Sequence, residues 1–535
     1  MKNKLFYAIL LVSTIMASCK KEFTDRLALD APSVPVFFNT LEQVQSATGT
    51  LYGRPWFEFN DHALDALEIL AGNSYTGDNQ YASFLTFSIS STDARVAEAW
   101  TAFNRIIGTS NVLINTFEEK KAQGGDPKIY DPGIAEARFM RGTGVFYLAR
   151  LFGDAPLVTD PGAAAISGNF AVPRYQQKDL LRFAIEDLQF AEANLPETAN
   201  KGRVTKNSAK GMMAKVYLYQ KDYTNAKAKA GEVIASGKYD LFQDYQGMFT
   251  KSVNNNNIES LFALQWAIFN YGSQNSIQAY RAPGNLLYTG DGWSSATPSL
   301  DILKSYEPND KRRKWSVMEQ GSFYPDWKVQ PKAPNSPKEI AYNQFMANGY
   351  IYDTGSTPEL AANEMIAVRN GTRSNIAKYV VGPGSASEPV QKQTTVINTY
   401  ILRYADVLLM YAEATLGDAA STSDQSALDA FNKVRARAGL PELSSLTKDI
   451  ILRERRAELA FEGDYWFDVQ RQGFERASQI IAEQERGTID NTMPGGINSR
   501  KVQLALPYNQ LYLPIPLNEV TANPELNKPP VPYYR

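Results

Sequence analysis

Residues 402–414 read Leu402-Arg403-Tyr404-Ala405-Asp406-Val407-Leu408-Leu409-Met410-Tyr411-Ala412-Glu413-Ala414. In and just before this stretch, apolar residues recur at the three-to-four spacing of one helix face: Tyr400, Ile401, Tyr404, Val407, Leu408 and Tyr411. Such spacing predicts an amphipathic helix. Comparable patterns occupy residues 41–52, 95–119, 133–151, 177–194, 207–220, 223–236, 424–438 and 448–462. The sequence therefore predicts a mainly α-helical protein.

Two neighbouring segments indicate how these helices pair. They approximate the tetratricopeptide pattern of two antiparallel helices through Met213, Ala214, Tyr217, Tyr223, Ala226 and Ala230. Small alanines let such helices approach closely, and one helix pair cannot bury its apolar face alone. We therefore expect further pairs to stack on this one. An ordinary helical hairpin without repeats is the alternative.

The chain divides into regions of different composition. Residues 41–240 and 396–535 hold the helical patterns, whereas residues 241–395 are rich in Gly, Ser, Pro and Asn and contain many aromatic residues without a clear period. This contrast predicts a loop-rich insertion between two helical regions. The last region also ends in a proline-rich tail, in which proline disfavours helix.

The first residues have the features of an export signal. Two lysines precede an apolar run over residues 5–16, which is shorter than the ~20 residues of a membrane-spanning helix. Residues 1–18 are therefore predicted to be a signal peptide. The order Met16-Ala17-Ser18-Cys19 resembles the bacterial lipobox, in which the cysteine receives a lipid. We expect Cys19 to be lipidated. The segment after it, residues 20–25, resembles the tether of lipoproteins that are exported to the cell surface. This resemblance implies that residues 19–40 hold the protein on the outer membrane, exposed at the cell surface.

Composition argues against several functional classes. The 535 residues have a formal charge of -2, so no global positive field exists to attract nucleic acid. Cys19 and His62 are the only cysteine and histidine, which leaves no disulfide, no Cys or His-rich metal site and no expected cofactor. We expect a surface or capping role for His62, which no nucleophile motif surrounds. Carboxylates bracket the basic cluster Lys311 to Lys314, a pattern typical of a solvated loop.

Four separated stretches resemble a known family. The first is Ala137-Arg138-Phe139-Met140-Arg141, continuing to Arg150-Leu151-Phe152-Gly153-Asp154-Ala155-Pro156-Leu157. The second is residues 402–414, quoted above, and the third is Asn432-Lys433-Val434-Arg435-Ala436-Arg437-Ala438-Gly439-Leu440-Pro441. The fourth runs from Glu454-Arg455-Arg456 through Glu458-Leu459-Ala460-Phe461-Glu462-Gly463 to Trp466-Phe467-Asp468 and Arg471. In order and spacing they resemble the SusD/RagB family of outer-membrane nutrient-uptake lipoproteins, across most of the chain.

This resemblance implies a SusD-like fold, with four tetratricopeptide-like helix pairs packed against a loop-rich, irregular remainder. It also implies that the protein binds oligosaccharide or polysaccharide and delivers it to a SusC-type TonB-dependent transporter, without catalysis. A peptide cargo, as in RagB-like members, is the alternative ligand. A surface glycosidase and a protein-binding scaffold are the alternative classes.

One row of carboxylates is the best candidate for catalysis. Glu454, Glu458 and Glu462 recur at i,i+4 spacing, which places them on one face of a predicted helix. In a retaining glycosidase, two carboxyl groups flank the substrate bond across a cleft, ~5–5.5 Å apart, whereas carboxylates on successive helical turns point the same way. Three arginines neighbour the row: Arg453, Arg455 and Arg456. We therefore predict structural ion pairs and no catalytic residue.

Two segments combine aromatic rings with polar side chains, as sugar sites do, because a ring stacks on the C–H face of a sugar while polar groups bind its hydroxyls. The early segment contributes Asn73, Tyr75, Asp78 and Tyr81. The insertion contributes Tyr288, Asp291, Trp293, Trp315, Tyr324 and Trp327. In the family resembled, the glycan site draws on corresponding regions. We predict that several of these residues form one shallow platform.

Overall fold

The computed structural model describes residues 37–160, 171–283, 292–328, 349–352, 371–385, 387–391, 393–489, 499–500 and 502–534, with residues 162, 166, 168 and 286 singly. The predicted signal peptide, Cys19 and most of the predicted tether lie outside these residues, as do Tyr288 and Asp291. Within the described ranges, no helix combines the length and the apolar composition that a membrane crossing requires.

The N-terminal half contains the longest helices, most of them near their predicted positions. They are α1 (Leu41–Gly49), α2 (Leu64–Leu70), α3 (Ala82–Thr86), α4 (Ala94–Ala122), α5 (Pro127–Phe152), α6 (Gln177–Asn194), α7 (Lys206–Tyr219) and α8 (Tyr223–Ala235). Several begin at capping residues that are visible in the sequence. Thr205 and Ser208, for example, form a reciprocal capping box at the start of α7.

The middle region has only short helices and two-residue strands, apart from β2. Its helices are α9 (Tyr245–Thr250), α10 (Ile277–Arg281), α11 (Leu300–Ser305) and α12 (Lys311–Ser316). The first strands of the chain are β1 (Ser74–Tyr75), β2 (Ser260–Leu264), β3 (Thr297–Pro298), β4 (Val317–Met318), β5 (Phe323–Tyr324), β6 (Tyr350–Ile351) and β7 (Asn375–Ile376). The strands pair antiparallel, β1 with β3, β4 with β7 and β5 with β6. The β1–β3 and β4–β7 ladders therefore join segments that are distant in sequence.

The C-terminal region returns to helix. It comprises β8 (Thr399–Arg403), α13 (Tyr404–Leu416), α14 (Gln425–Ala438), α15 (Lys448–Leu459), α16 (Tyr465–Gln470), α17 (Phe474–Glu483), β9 (Thr488–Ile489), β10 (Ser499–Arg500) and α18 (Leu517–Ala522). Eight helices pack in an array: α4 on α5, α5 on α6, α6 on α7, α7 on α8, α8 on α13, and both α14 and α15 on α13. These eight helices match the expected scaffold of four pairs, and the predicted α-rich architecture is confirmed.

The helix hairpin of α7 and α8 shows why the pattern of small residues matters. Ala214, Ala226 and Ala230 are fully buried, which lets the two helices approach closely. On the other side, α8 packs on α13, whose Tyr411 ring lies against Gly231. The hairpin is thus one unit of a longer stack.

The helix face predicted from Tyr400 onward is wrong at its start. Tyr400 and Ile401 belong to the buried strand β8, and the helix begins only at Tyr404. Strand β8 pairs antiparallel with β2, with Ala263 opposite Tyr400 and Phe262 opposite Leu402. A strand buried on both faces carries apolar residues at most positions, so short windows of it mimic a helix face.

The basic cluster at residues 311–314 is also not a solvated loop. It forms α12, and the Arg312 side chain is only 1% exposed. Its guanidinium donates to Asp310 Oδ1 and to Glu454 Oε1, at 2.9 and 2.6 Å. The alternating pattern of buried and exposed residues in this short helix places Arg312 inward and Lys311 and Lys314 outward.

Candidate functional site

A pocket of about 430 Å³ opens between the early loop and the middle region. Its lining residues are Tyr75, Gly77, Asp78, Gln80, Trp293, Ser294, Ser295 and Gly371. The β1–β3 ladder brings the two segments together, with Tyr75 opposite Thr297. The structure thus joins three predicted residues, Tyr75, Asp78 and Trp293, in one pocket.

Asp78 is held in place by both segments. It caps the 3₁₀ turn Asn79–Tyr81, because its Oδ1 accepts from the backbone N–H of Gln80 at 3.0 Å. Its other oxygen, Oδ2, accepts from Ser295 Oγ at 2.9 Å. Each carboxylate oxygen retains further lone pairs for a ligand hydroxyl. The site therefore has a fixed acceptor.

Trp293 provides the exposed aromatic surface. Trp293 is 50% exposed. Its backbone is held in place, because the N–H donates to Ala279 O at 2.9 Å. The buried ring of Tyr280 meets it edge to face, with centroids 5.1 Å apart. An aromatic ring fixed on one side and open on the other can stack on a sugar.

Three further residues of the pocket, Ser294, Tyr75 and Gly371, have defined surroundings. Ser294 has a positive φ of 51°, and its Oγ accepts from Asn375 Nδ2 at 3.0 Å. Tyr75 is half-buried, and burial raises the pKa of its hydroxyl, which stays neutral near pH 7 and can donate a hydrogen bond. Gly371 lies beside the Tyr75 ring, where a Cβ atom would come within 3.2 Å of it.

A polar cluster lies behind the Trp293 platform and includes His62, which has neither the surface nor the capping role expected. His62 lies in a π-helical turn, Phe59–Ala63, and its ring contacts Tyr280 at a centroid distance of 5.0 Å. Burial, assisted by Arg95, lowers the pKa of His62 to about 3. The imidazole is therefore neutral at pH 7 and supports Tyr280 rather than acting as a base.

The other predicted residues lie elsewhere. Asn73 is buried, donating to Glu68 Oε2 at 2.9 Å and accepting from Arg456 Nε at 2.8 Å. Tyr81 is buried in the main core, and Trp315 stacks on Tyr245 at a centroid distance of 5.5 Å. None of these three lines the pocket.

Tyr324 and Trp327 lie together in a second pocket. Their rings stack 3.9 Å apart, and both are nearly buried. The predicted residues that the structure describes therefore do not form one platform: they divide between two pockets, and Asn73, Tyr81 and Trp315 line neither. Tyr288 and Asp291 lie outside the described residues.

Sequence reasoning missed Gln80, Ser294 and Ser295. Gln80 belongs to the early segment singled out above but has no feature that distinguishes it from other surface amides. The two serines directly follow Trp293, and their hydroxyls gain a role only through partners that are far away in sequence, Asp78 and Asn375. The one signal in the sequence was that the two serines are adjacent to Trp293, which was itself a predicted site residue.

The carboxylates of the predicted row, Glu454, Glu458 and Glu462, take part in ion pairs. Glu454 and Glu458 are buried in α15, and Glu462 follows the end of that helix. Glu458 binds Arg312, Arg403 and Arg437, each on a different element. The predicted ion pairing is present, but the predicted partners are wrong. Arg455 binds Asp406 and Asp468, and Arg456 binds Asp301.

Family comparisons agree with this architecture. The model described as "SusD family" matches residues 258–534, and one described as "Starch-binding associating with outer membrane" matches residues 33–218. A SusD-like protein of Bacteroides ovatus is 31% identical over 100% of this chain and 98% of its own length. The chain therefore belongs to the SusD family, a family of carbohydrate-binding proteins that is described as associated with the outer membrane.

Solved structures give the same result. A crystal structure with xylogluco-oligosaccharide matches with a TM-score of 0.79 and 31% identity, covering 92% of this chain and 99% of that chain. A SusD-like carbohydrate-binding protein from Bacteroides fragilis matches with a TM-score of 0.71 at 23% identity, over 92% of this chain and 99% of that chain. The SusD-like fold implied by the sequence is confirmed.

Proposed function

We propose that this protein captures a neutral oligosaccharide or polysaccharide in the pocket of Tyr75, Asp78 and Trp293. The observation that carries the proposal is the half-exposed Trp293 ring, which lines the same pocket as the fixed Asp78 carboxylate. A flat apolar surface next to oriented hydrogen-bonding groups suits a sugar, which has C–H faces and hydroxyl edges. A volume of about 430 Å³ suits a short segment of a glycan chain.

Charge narrows the ligand class. Among the described residues that line this pocket, Asp78 carries the one formal charge, and it is negative. A polymer rich in uronic acid would bring carboxylates close to Asp78, which costs free energy. Neutral glycans are therefore favoured. The similar structure with xylogluco-oligosaccharide makes xyloglucan the first ligand to try.

We further propose a non-catalytic role at the cell surface, with Cys19 lipidated and the body outside the outer membrane. Two or more acyl chains, at ~0.8 kcal/mol per buried methylene, anchor a soluble body durably. In this role the protein passes its glycan to a SusC-type TonB-dependent transporter. The absorption of Glu454 and Glu458 into buried ion pairs supports a binding role over hydrolysis.

The test uses the body from about residue 22 onward, with calorimetry against xyloglucan oligosaccharides, laminarin and polygalacturonic acid. Trp293→Ala is expected to weaken binding of the preferred glycan about 10–30-fold, as loss of a central aromatic contact does. Ser295→Ala removes the hydrogen bond that holds Asp78 Oδ2 in place and is expected to weaken glycan binding about 3–10-fold. Phe269→Ala is the control, since Phe269 is exposed and lines neither pocket discussed here.

The outcomes separate the alternatives. Wild-type affinity in both pocket variants would refute the pocket as the glycan site. Strong binding of polygalacturonic acid would refute the charge argument. Release of reducing sugar during incubation would refute the non-catalytic role, and binding of peptides with no binding of any glycan would favour the RagB-like alternative.

A further inference from the structure

A second, larger pocket of about 730 Å³ lies elsewhere in the middle region. Its lining residues come from three segments: Asp244 to Val253, which includes α9; Phe323 to Trp327; and the loop from Val381 to Glu388. Among the residues that the structure describes, this pocket shares no lining residue with the pocket of Trp293. Its chemistry therefore needs a separate account.

The floor of this second pocket is rigid. The Trp327 indole is covered on one face by Tyr324 and on the other by Gly382, where a Cβ atom would lie only 2.7 Å from the ring. The backbone N–H groups of Val381 and Gly382 both donate to Gln278 Oε1, at 2.6 and 3.0 Å. A preformed floor lowers the entropy cost of ligand binding.

The loop wall is equally fixed. The Glu388 carboxylate accepts from the backbone N–H of Ser252 through both oxygens, each at 2.8 Å. The backbone of Ser385 donates to Glu388 O at 2.9 Å, and the Ser385 hydroxyl accepts from the backbone N–H of Glu388 at 3.1 Å. The bonds to Ser252 connect the loop to the segment that follows α9, and the two bonds between Ser385 and Glu388 brace the loop itself.

The exposed groups of this pocket are of the same chemical kinds as those of the Trp293 pocket. Because both faces of Trp327 are covered, the ring available for stacking is Phe323, which is 53% exposed at the pocket edge. Hydroxyl and carboxylate groups line the same pocket, including those of Thr250, Asp326 and Ser387. An exposed ring beside hydrogen-bonding groups is again the composition of a sugar site.

The charge balance disfavours anionic ligands in this pocket as well. Asp244, Asp326 and Glu388 line the pocket together with one cation, Lys251, among the lining residues that the structure describes. Lys251 is already close to Asp244, with Nζ 3.5 Å from a carboxylate oxygen. The remaining potential is negative, so a phosphorylated or uronic ligand is disfavoured and a neutral glycan is favoured.

Helix α10 connects the two pockets physically. Its Tyr280 supports Trp293, whereas its Gln278 holds the backbone of Val381 and Gly382. The two pockets thus use different residues of the same short helix. A glycan polymer offers many identical segments and can engage both pockets of one molecule or bridge molecules.

We propose that the Phe323 pocket is a second glycan-binding subsite, which binds a neutral segment independently of Trp293 and raises the affinity for polymers over short oligosaccharides. This inference rests on the proposed function, because its ligand is the same polymer. When two sites engage one chain, the second binding step is intramolecular, so avidity for the polymer rises without new contacts at the first site.

The test compares short xyloglucan oligosaccharides with the xyloglucan polymer in calorimetry. The wild type is expected to bind two oligosaccharides per chain, and Trp293→Ala is expected to bind one. Adding Phe323→Ala to Trp293→Ala is expected to remove that residual binding. Phe323→Ala alone is expected to lose at least tenfold in polymer affinity, and Asp326→Ala is a second, milder variant at an exposed position.

Phe269→Ala is the matched control, an exposed phenylalanine outside both pockets, and is expected to bind like the wild type. One oligosaccharide per wild-type chain, with Phe323→Ala and Asp326→Ala both equal to the control, would overturn the second subsite and leave the first intact. If Trp293→Ala also equals the control, the proposed function itself fails.

Discussion

Replacement of Glu458 by glutamine tests whether the buried ion network stabilises the fold. Glu458 has 0% exposure, and Oε1 accepts from Arg403 at 2.7 Å while Oε2 accepts from Arg312 at 3.2 Å. Arg437 also donates to Oε1. Glutamine keeps the shape but loses the charge, and its NH₂ group, as a donor, would face a guanidinium that also donates.

The size of the effect follows from burial. Removing one partner of a buried ion pair leaves uncompensated charge and costs about 3–5 kcal/mol. With ~2.1 cal/mol/K of unfolding entropy per residue, that cost lowers Tm by about 3–5 °C in a chain of this size. Glu475→Gln is the control, because Glu475 is exposed on α17 and its substitution should leave Tm within ~1 °C.

The pH dependence adds a second signature. Burial raises the pKa of Glu458, but the guanidinium groups of Arg437, Arg403 and Arg312 outweigh it and hold the pKa well below the ordinary 4.5. A depressed folded-state pKa contributes stability that is complete above about 4.5 and is lost as the pH falls below it. The difference in Tm between wild type and Glu458→Gln should therefore be largest near pH 7 and shrink toward pH 3.

Thermal denaturation followed by tryptophan fluorescence, at pH 7, 5 and 3.5, measures both signatures. A Tm for Glu458→Gln equal to that of the Glu475→Gln control at pH 7 would show that the network adds nothing net to stability. A difference that stays constant from pH 7 to pH 3.5 would refute the assignment of the charge effect to Glu458.

Two further substitutions test local strain and a buried carboxyl. Gly382→Ala is expected to destabilise the fold by about 2–4 kcal/mol, because φ is +83° and the new Cβ would clash with Trp327. The control is Gly237→Ala, at φ +63° with open space around it, which should cost only the backbone strain of about 1–2 kcal/mol. Equal Tm values for the two variants would contradict the packing argument. Glu98→Gln tests a carboxyl whose pKa burial raises to about 7 despite Arg95. Because the pKa is raised in the folded state, the wild type loses stability as the pH rises from about 4.5 to 7. Glu98→Gln should therefore be more stable than the wild type at pH 8, by about 1–2 kcal/mol after allowance for partial exposure, and should lose that advantage at pH 4.5. Measuring the Tm of both proteins at both pH values tests this.

Helices were predictable because their signals are local. The residues that set α6, for example, lie within 177–194 itself, and the observed bounds equal the predicted ones. Caps such as Thr205 and the small residues of the α7–α8 hairpin are likewise close in sequence to the structure they direct. Interactions between residues three or four apart need no knowledge of the rest of the chain.

Tyr400 and Arg312 show where local signals fail. Tyr400 has the spacing of a helix face but pairs with Ala263 on a strand far earlier in the chain. Arg312 belongs to a cluster that resembles a solvated loop, yet its partner Glu454 lies 142 residues away. The free energy that decides each case comes from a partner that only folding brings near.

For the candidate site, too, the sequence supplied part of the answer and tertiary contacts supplied the rest. Residue type was enough to select Tyr75, Asp78 and Trp293, because stacking and hydroxyl binding require aromatic and carboxylate groups. Residue type could not separate Trp293 from Trp315 and Trp327, since all three rings have the same chemistry. Only tertiary contacts made the difference: Tyr245 stacks on Trp315, Tyr324 and Gly382 cover Trp327, and one face of Trp293 is left to solvent.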